Sequence, residues 1–214
     1  MKPDFWLERW EREEIGFHRT SIHWALTTYW HQIAANSHAP VLVPLCGKSV
    51  DLHWLMLRGH PVVGIELSPK AITEFFTEWG RNPEQERNST ITYWQAENIR
   101  LVQGDFFEVY PDKPFQYFYD RAALIALPAT MRSQYLDHLI SCLTTRSSGL
   151  LVTLEYDQQK MDGPPFSVTH AELSGRNELY FDQLARRDVL AEYSHFAKQG
   201  LDYLFETIYR VTRI

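Results

Sequence analysis

Between Val41 and Glu66 the chain passes from an apolar run (Val41 to Leu45) through Cys46 and Gly47 into a helix-like pattern (Ser49 to Leu57). A second apolar run (Val62 to Glu66) follows and ends in a carboxylate. Two such runs with a helix between them call for a parallel crossover, and a parallel sheet needs cover on both faces. The alternation continues. Ser68 to Trp79 reads as a helix with Ser68 as N-cap and Pro69 at its first position. "ITYWQA" and "IRLVQGDF" flank Glu97-Asn98 and form a hairpin, "FQYFYD" is a strand, Ala129 to Leu143 a helix and "GLLVTLEY" a strongly apolar strand. Asp157 to Pro165 is a loop, a short helix lies near Ala171, and two late strands fall around Ser194 and over Tyr203 to Val211. The polar "RNPEQERNST" reads as a surface loop. In front stand a helix opening at Pro3 and Asp4 and a second over Thr20 to Ala34. The expected fold is α/β, a doubly wound, mainly parallel sheet with an antiparallel C-terminal edge. It forms one domain over 1–214, with residues 1–35 as an N-terminal helical lid.

Gly47-Lys48-Ser49 is the ending of a phosphate-binding loop, but the glycine required five positions earlier is Leu42, and Pro44 removes an amide donor. A triphosphate cradle is therefore not expected, and Asp120 after "YFY" loses its meaning as the matching magnesium-binding acid. A dinucleotide fingerprint would need three glycines where only Gly47 stands. What remains is a glycine turn, an acid nineteen residues later at Glu66, and further acids at strand ends, Asp105 and Asp120. A carboxylate at the end of the second strand suits the neighbouring hydroxyls of a ribose. Equally, an acid in such a place often only caps a helix. A ligand with ribose and adenine but no phosphate fits best, and S-adenosylmethionine is one. Aromatic faces attract its sulfonium cation, and Trp6, Trp10 and Phe17 offer them if the N-terminal segment folds over the site. The competing reading is that these rings merely staple the N-terminus to the core.

The formal charge of −6 argues against a nucleic-acid partner, and no apolar run is long enough for a membrane span. Two cysteines without CxxC spacing, Cys46 and Cys142, point to a reduced, cytoplasmic setting, with Cys46 a packing residue rather than a nucleophile. Nine scattered histidines form no ligand motif, so no metal is assigned. No coiled-coil pattern argues for assembly, and a monomer is expected.

"FWLERWEREEIGFH", "PLCGKSVDLHWL", "GHPVVGIELS", "FYDRAAL" and "GPPF" resemble the thiopurine S-methyltransferase family in its bacterial form, in order and spacing over essentially the whole chain. The resemblance implies a Rossmann-like class I methyltransferase dependent on S-adenosylmethionine. It places cofactor contacts on Trp10, Leu45, Glu66 and Arg121, puts Trp6, Phe17 and Gly47 in the same pocket, and sets Asp105 and Phe106 beside the adenine. Phe17 also faces the substrate, and Arg121 lies near both the methionine end and the acceptor, where it can hold an anion. The family methylates the sulfur of aromatic and heterocyclic thiols, and bacterial members are linked to selenium and tellurium compounds. Phe166, in "DGPPFS", is expected as an apolar floor of the acceptor pocket. Such thiols ionise readily, so no strong general base is required, and none stands out in the sequence. The rival reading is a non-catalytic nucleotide-binding regulator of the same fold, which has no need of Trp6, Trp10 or Arg121.

Overall fold

The computed structural model describes residues 3–35, 38–88 and 91–214. Met1 and Lys2 of the expected lid, and Ser89 and Thr90 of the expected polar loop, lie outside the described residues. The strands are β1 (Val41–Pro44), β2 (Val62–Glu66), β3 (Glu84–Arg87), β4 (Thr92–Ala96), β5 (Ile99–Gln103), β6 (Phe115–Arg121), β7 (Leu143–Glu155), β8 (Leu179–Asp188) and β9 (Phe205–Arg213). The helices are α1 (Pro3–Glu11), α2 (Trp24–Ile33), α3 (Asp51–Leu57), α4 (Pro69–Trp79), α5 (Ala129–Ser141), α6 (His170–Leu173) and α7 (Ser194–Lys198). One sheet holds the strands in the order β3-β4-β5-β2-β1-β6-β7-β9-β8. The five central strands, β5 to β7 in that order, run parallel, and antiparallel pairs close both edges.

The apolar strands are continuous because both faces are covered. Leu42 faces a core with Phe118, Tyr135 and Leu139, whereas its neighbours Val41 and Val43 face another with Leu26, Leu55 and Phe75. Gly64 sits where β1 and β2 press together. A Cβ there would lie 2.6 Å from Cys46 Sγ and 2.7 Å from Leu101, so the buried thiol fills space that only glycine leaves.

Two expectations fail. The polar Glu84–Arg87 segment is not a loop but the edge strand β3, fully exposed and paired with β4 from Glu84↔Gln95 to Arg87↔Thr92. Backbone pairing outweighs its poor strand propensity, and its charges suit an edge. The penultimate strand is not near Ser194. It is β8, whose Leu179 and Phe181 are buried with Tyr180 exposed between them, and Ser194 instead begins α7. The second helix also starts later than expected, at Trp24, with the His23 side chain accepting from the Ala25 amide.

Asp120 is fully buried and accepts from the Tyr135 hydroxyl at 2.7 Å and the Leu124 amide at 3.1 Å. It ties the end of β6 to α5 and does not reach the rim. Burial raises its carboxyl to about 6, against hydrogen bonds that favour the anion. Because the folded value exceeds the unfolded one, its contribution is fully present below about pH 4 and is lost as pH rises through 6. Relative to Asp120→Asn, the wild type should lose about 2 kcal/mol of unfolding free energy between pH 4 and 7, read from urea titrations.

Candidate functional site

β1 has β2 on one side and β6 on the other, so connections leave it in opposite directions and a crevice opens beyond the strands' carboxyl ends. There the structure holds a cavity of about 440 Å³, within the size range of small-molecule sites. Leu45, Gly47 and Glu66 line it from the ends of β1 and β2, Asp105 and Phe106 from beyond β5, and Arg121 from β6. Trp6, Trp10 and Phe17 line it from the N-terminal segment. The fold thus brings these residues, up to 115 positions apart from Trp6 to Arg121, to one cavity.

The turn after β1 is built around Glu66. Its Oε2 accepts from the Gly47 amide at 2.8 Å and its Oε1 from the Ser68 amide at 2.7 Å. The side chain is buried, which raises its carboxyl, and the amides of Ser68, Gly47 and Leu67 offset part of that rise. A carboxylate has about four lone-pair sites, so acceptor capacity remains beyond these amides. Leu45 (φ 47°) and Gly47 (φ 53°) both adopt left-handed backbone. For Leu45 this is a strained state, and strain of this sort gathers at ligand sites. Ala122 repeats it (φ 65°) just after Arg121, on the opposite wall.

Lys48 and Ser49 explain the false phosphate motif. Lys48 Nζ pairs with Glu74 at 2.8 Å and Glu78 at 2.6 Å, both on α4, and Ser49 Oγ accepts from the Asp51 amide at 3.3 Å. The lysine pins a helix and the serine opens one.

The N-terminal segment is docked. Phe17 meets the rings of Trp6 and Trp10 edge-on, each at 5.7 Å. Trp10 is buried against Gly47, where a Cβ would lie 3.1 Å from the indole. Arg121 Nη2 donates to the Phe17 carbonyl at 3.5 Å. Arg121 forms no ion pair with the nearby Asp120 or Glu66: no carboxylate among the described residues lies within 4 Å of its guanidinium. Farther along, the His23 amide donates to Asp51 Oδ1 at 2.8 Å, and Tyr119 holds Oδ2 at 2.9 Å.

Phe166 is set back from the cavity. Its amide donates to the Ile125 carbonyl at 2.7 Å and its ring lies beneath the Arg132 guanidinium, so Pro164 and Pro165 reach the cavity in its place. Phe106 is largely a core residue, 5.2 Å from Tyr135 and 4.8 Å from His138, and Asp105 caps the turn by accepting from the Phe107 amide at 3.0 Å.

Sequence reasoning missed the far wall, where His23, Tyr193, Phe196 and Glu206 line the cavity. Glu206 accepts from His23 at 3.1 Å, Trp24 at 2.6 Å and Arg187 at 3.1 Å. Burial opposes its ionisation, but these donors prevail and hold it at about 2. The sequence signal is weak: β9 carries Arg210 and Arg213 as well as Glu206, and only the fold shows which of these charges is buried.

The family model described as thiopurine S-methyltransferase matches residues 1–214. Relatives bearing that name from Pseudomonas putida strain F1 and Shewanella oneidensis are 42% and 41% identical, with both chains covered completely. Among solved structures, the Burkholderia thailandensis 1,6-didemethyltoxoflavin-N1-methyltransferase with bound S-adenosylhomocysteine aligns at a TM-score of 0.61 and 16% identity, over 97% of this chain and 86% of that one. The N-methyltransferase NodS of Bradyrhizobium japonicum, also with S-adenosylhomocysteine, aligns at 0.62 and 12%, over 95% and 97%. The fold is that of the Rossmann-like class I methyltransferases.

Gly47→Ala adds a left-handed alanine against Trp10. It should destabilise the protein by about 1–2 kcal/mol and speed limited proteolysis within the first twenty residues, followed by urea titration and mass spectrometry of the fragments.

Proposed function

Because the chain belongs to the thiopurine S-methyltransferase family of S-adenosylmethionine-dependent enzymes, we propose that it methylates the sulfur of aromatic and heterocyclic thiols, thiopurines among them. Selenium and tellurium nucleophiles, which share the chemistry of sulfur, form the wider acceptor class. The observation that carries this reading is one juxtaposition: Glu66, Trp10, Phe17 and Arg121 all line a single cavity.

The residues fit the cofactor. Glu66 retains free lone pairs for ribose hydroxyls after binding these amides. Leu45 and Gly47 would bring backbone to the ligand, Asp105 and Phe106 would lie toward the adenine, and Trp6, Trp10 and Phe17 would offer π faces to its cation. When bound, S-adenosylmethionine supplies an electrophilic methyl group on a sulfonium.

The chain's own contribution is binding, alignment and exclusion of water. Attack by a thiolate on a sulfonium neutralises both charges, so a site lined by indole, phenyl and leucine side chains disfavours the separated ions more than the transition state. Arg121, free of carboxylate partners, orients an anionic acceptor. Holding nucleophile and methyl carbon in line supplies the rest of the gain. Cys46 takes no part: burial pushes its thiol well up, first by desolvation and then through the Glu66 charge. Two buried free cysteines suit a reducing, cytoplasmic setting, and the reading requires only a small-molecule partner and a monomer.

Glu66→Ala should weaken S-adenosylmethionine binding by about 1.5–3 kcal/mol, and Trp10→Ala should weaken it while releasing the N-terminal segment. Calorimetry measures both, and wild-type affinity in the two variants would misplace the site. With the wild type, a panel of thiopurines, thiophenols, a selenol and tellurite should yield methylated thiols identified by mass spectrometry. A panel without methylated sulfur would refute the acceptor class.

A further inference from the structure

Three histidines line the cavity: His18, His23 and His195. His23 is engaged at both nitrogens, with Nε2 on Glu206 and Nδ1 accepting from the Ala25 amide at 3.3 Å. His195 belongs to an exposed short helix, and its ring lies 4.0 Å from that of Phe196. His18 differs from both. It follows Phe17, whose carbonyl receives Arg121, and its own amide is tied to the Ile15 carbonyl at 2.8 Å, so its position is fixed from the backbone. Among the described residues no hydrogen bond or ion pair engages its ring. The charged groups that act on it are Lys48 after β1, Arg121 on β6, and Glu74 and Glu78 on α4. The two glutamates are held by Lys48.

We propose that His18 is the proton acceptor for thiols too weakly acidic to be ionised at neutral pH, extending the acceptor range beyond thiopurine-like compounds. The inference rests on the thiol methyl-transfer reading. The S–H bond breaks and its proton passes to an imidazole nitrogen of His18. The sulfur's electron pair forms the new S–C bond as the bond from the methyl carbon to the donor sulfur breaks, its pair staying on that sulfur. The imidazolium then releases its proton to water. Partial burial, then the Lys48 and Arg121 charges, hold the imidazole below its ordinary value, so its lone pair is free at pH 7. Arg121 beside it can stabilise the sulfur as it becomes anionic. An acidic heterocyclic thiol arrives already ionised and uses only the arginine.

The test compares a simple alkanethiol, 2-mercaptoethanol, with a nitro-substituted thiophenol that is ionised throughout. Wild-type kcat/KM for the alkanethiol should be level from pH 7 to 8. In His18→Asn and His18→Gln it should fall about 100-fold relative to the thiophenol, within the range for general-base catalysis, and should rise about tenfold per pH unit toward the thiol's own ionisation. Nitrogen-detected NMR of wild-type imidazoles should place the His18 titration below that of a free histidine. A wild-type profile that itself climbs tenfold per unit overturns the proposal, as does an equal loss on both thiols or a His18 titration at or above the ordinary value. So does a wild type that methylates the thiophenol alone. A wild type inactive on both thiols refutes the thiol reading beneath it.

Discussion

Two backbone amides share one buried carboxylate, and the architecture of the site depends on that arrangement. Glu66 receives Gly47 from the turn after β1 and Ser68 from the start of α4. An ionised group 6% exposed would be costly alone. Charge-assisted bonds to fixed amides offset the cost and lock the two strand ends to each other. The Cys46 amide adds a bond to the Ile65 carbonyl at 3.0 Å. Between these bonds the left-handed Leu45 and Gly47 have no other place to go, which is how a strained backbone persists. The open side of Gly47 then becomes the seat of Trp10.

The N-terminal segment gains its order from several separate attachments. Aromatic edges hold it over the cavity at Trp6, Trp10 and Phe17. Asp51 captures the His23 amide from the start of α3, and Glu206 captures the rings of His23 and Trp24 from β9. Side chains from opposite ends of the sequence therefore close one cavity. The staple and the ligand-facing roles weighed for these tryptophans are compatible: the same rings that line the cavity bury Trp10 against the turn.

Charge is sorted around the site. Lys48, the residue that mimics a phosphate binder, is neutralised by Glu74 and Glu78. Arg187 is drawn to Glu206 and Arg9 to Glu14. Among the described residues, Arg121 has only a long bond to a carbonyl. A guanidinium with spare donors in a cavity walled by aromatic and aliphatic groups is suited to one small anion, in a protein whose overall charge repels polyanions.

The sequence alone determined the parallel crossover, the glycine turn and the acid at Glu66, because apolar periodicity and turn chemistry are local properties. It also gave the cap at Ser68, which needs only neighbouring residues. Tertiary structure decided the rest. Glu84–Arg87 became a strand because β4 offered it a partner, and Leu179–Asp188 did so because β9 lay alongside. Asp120 and Glu66 both end apolar strands and look alike in the sequence. One is sealed by Tyr135 while the other faces the cavity, a difference set by which helix packs over each strand end. Phe166 turned to Arg132, and the far wall of His23 and Glu206 formed from residues 183 positions apart. Distances of that kind are not encoded in any local pattern. They follow from where the sheet order places each strand end.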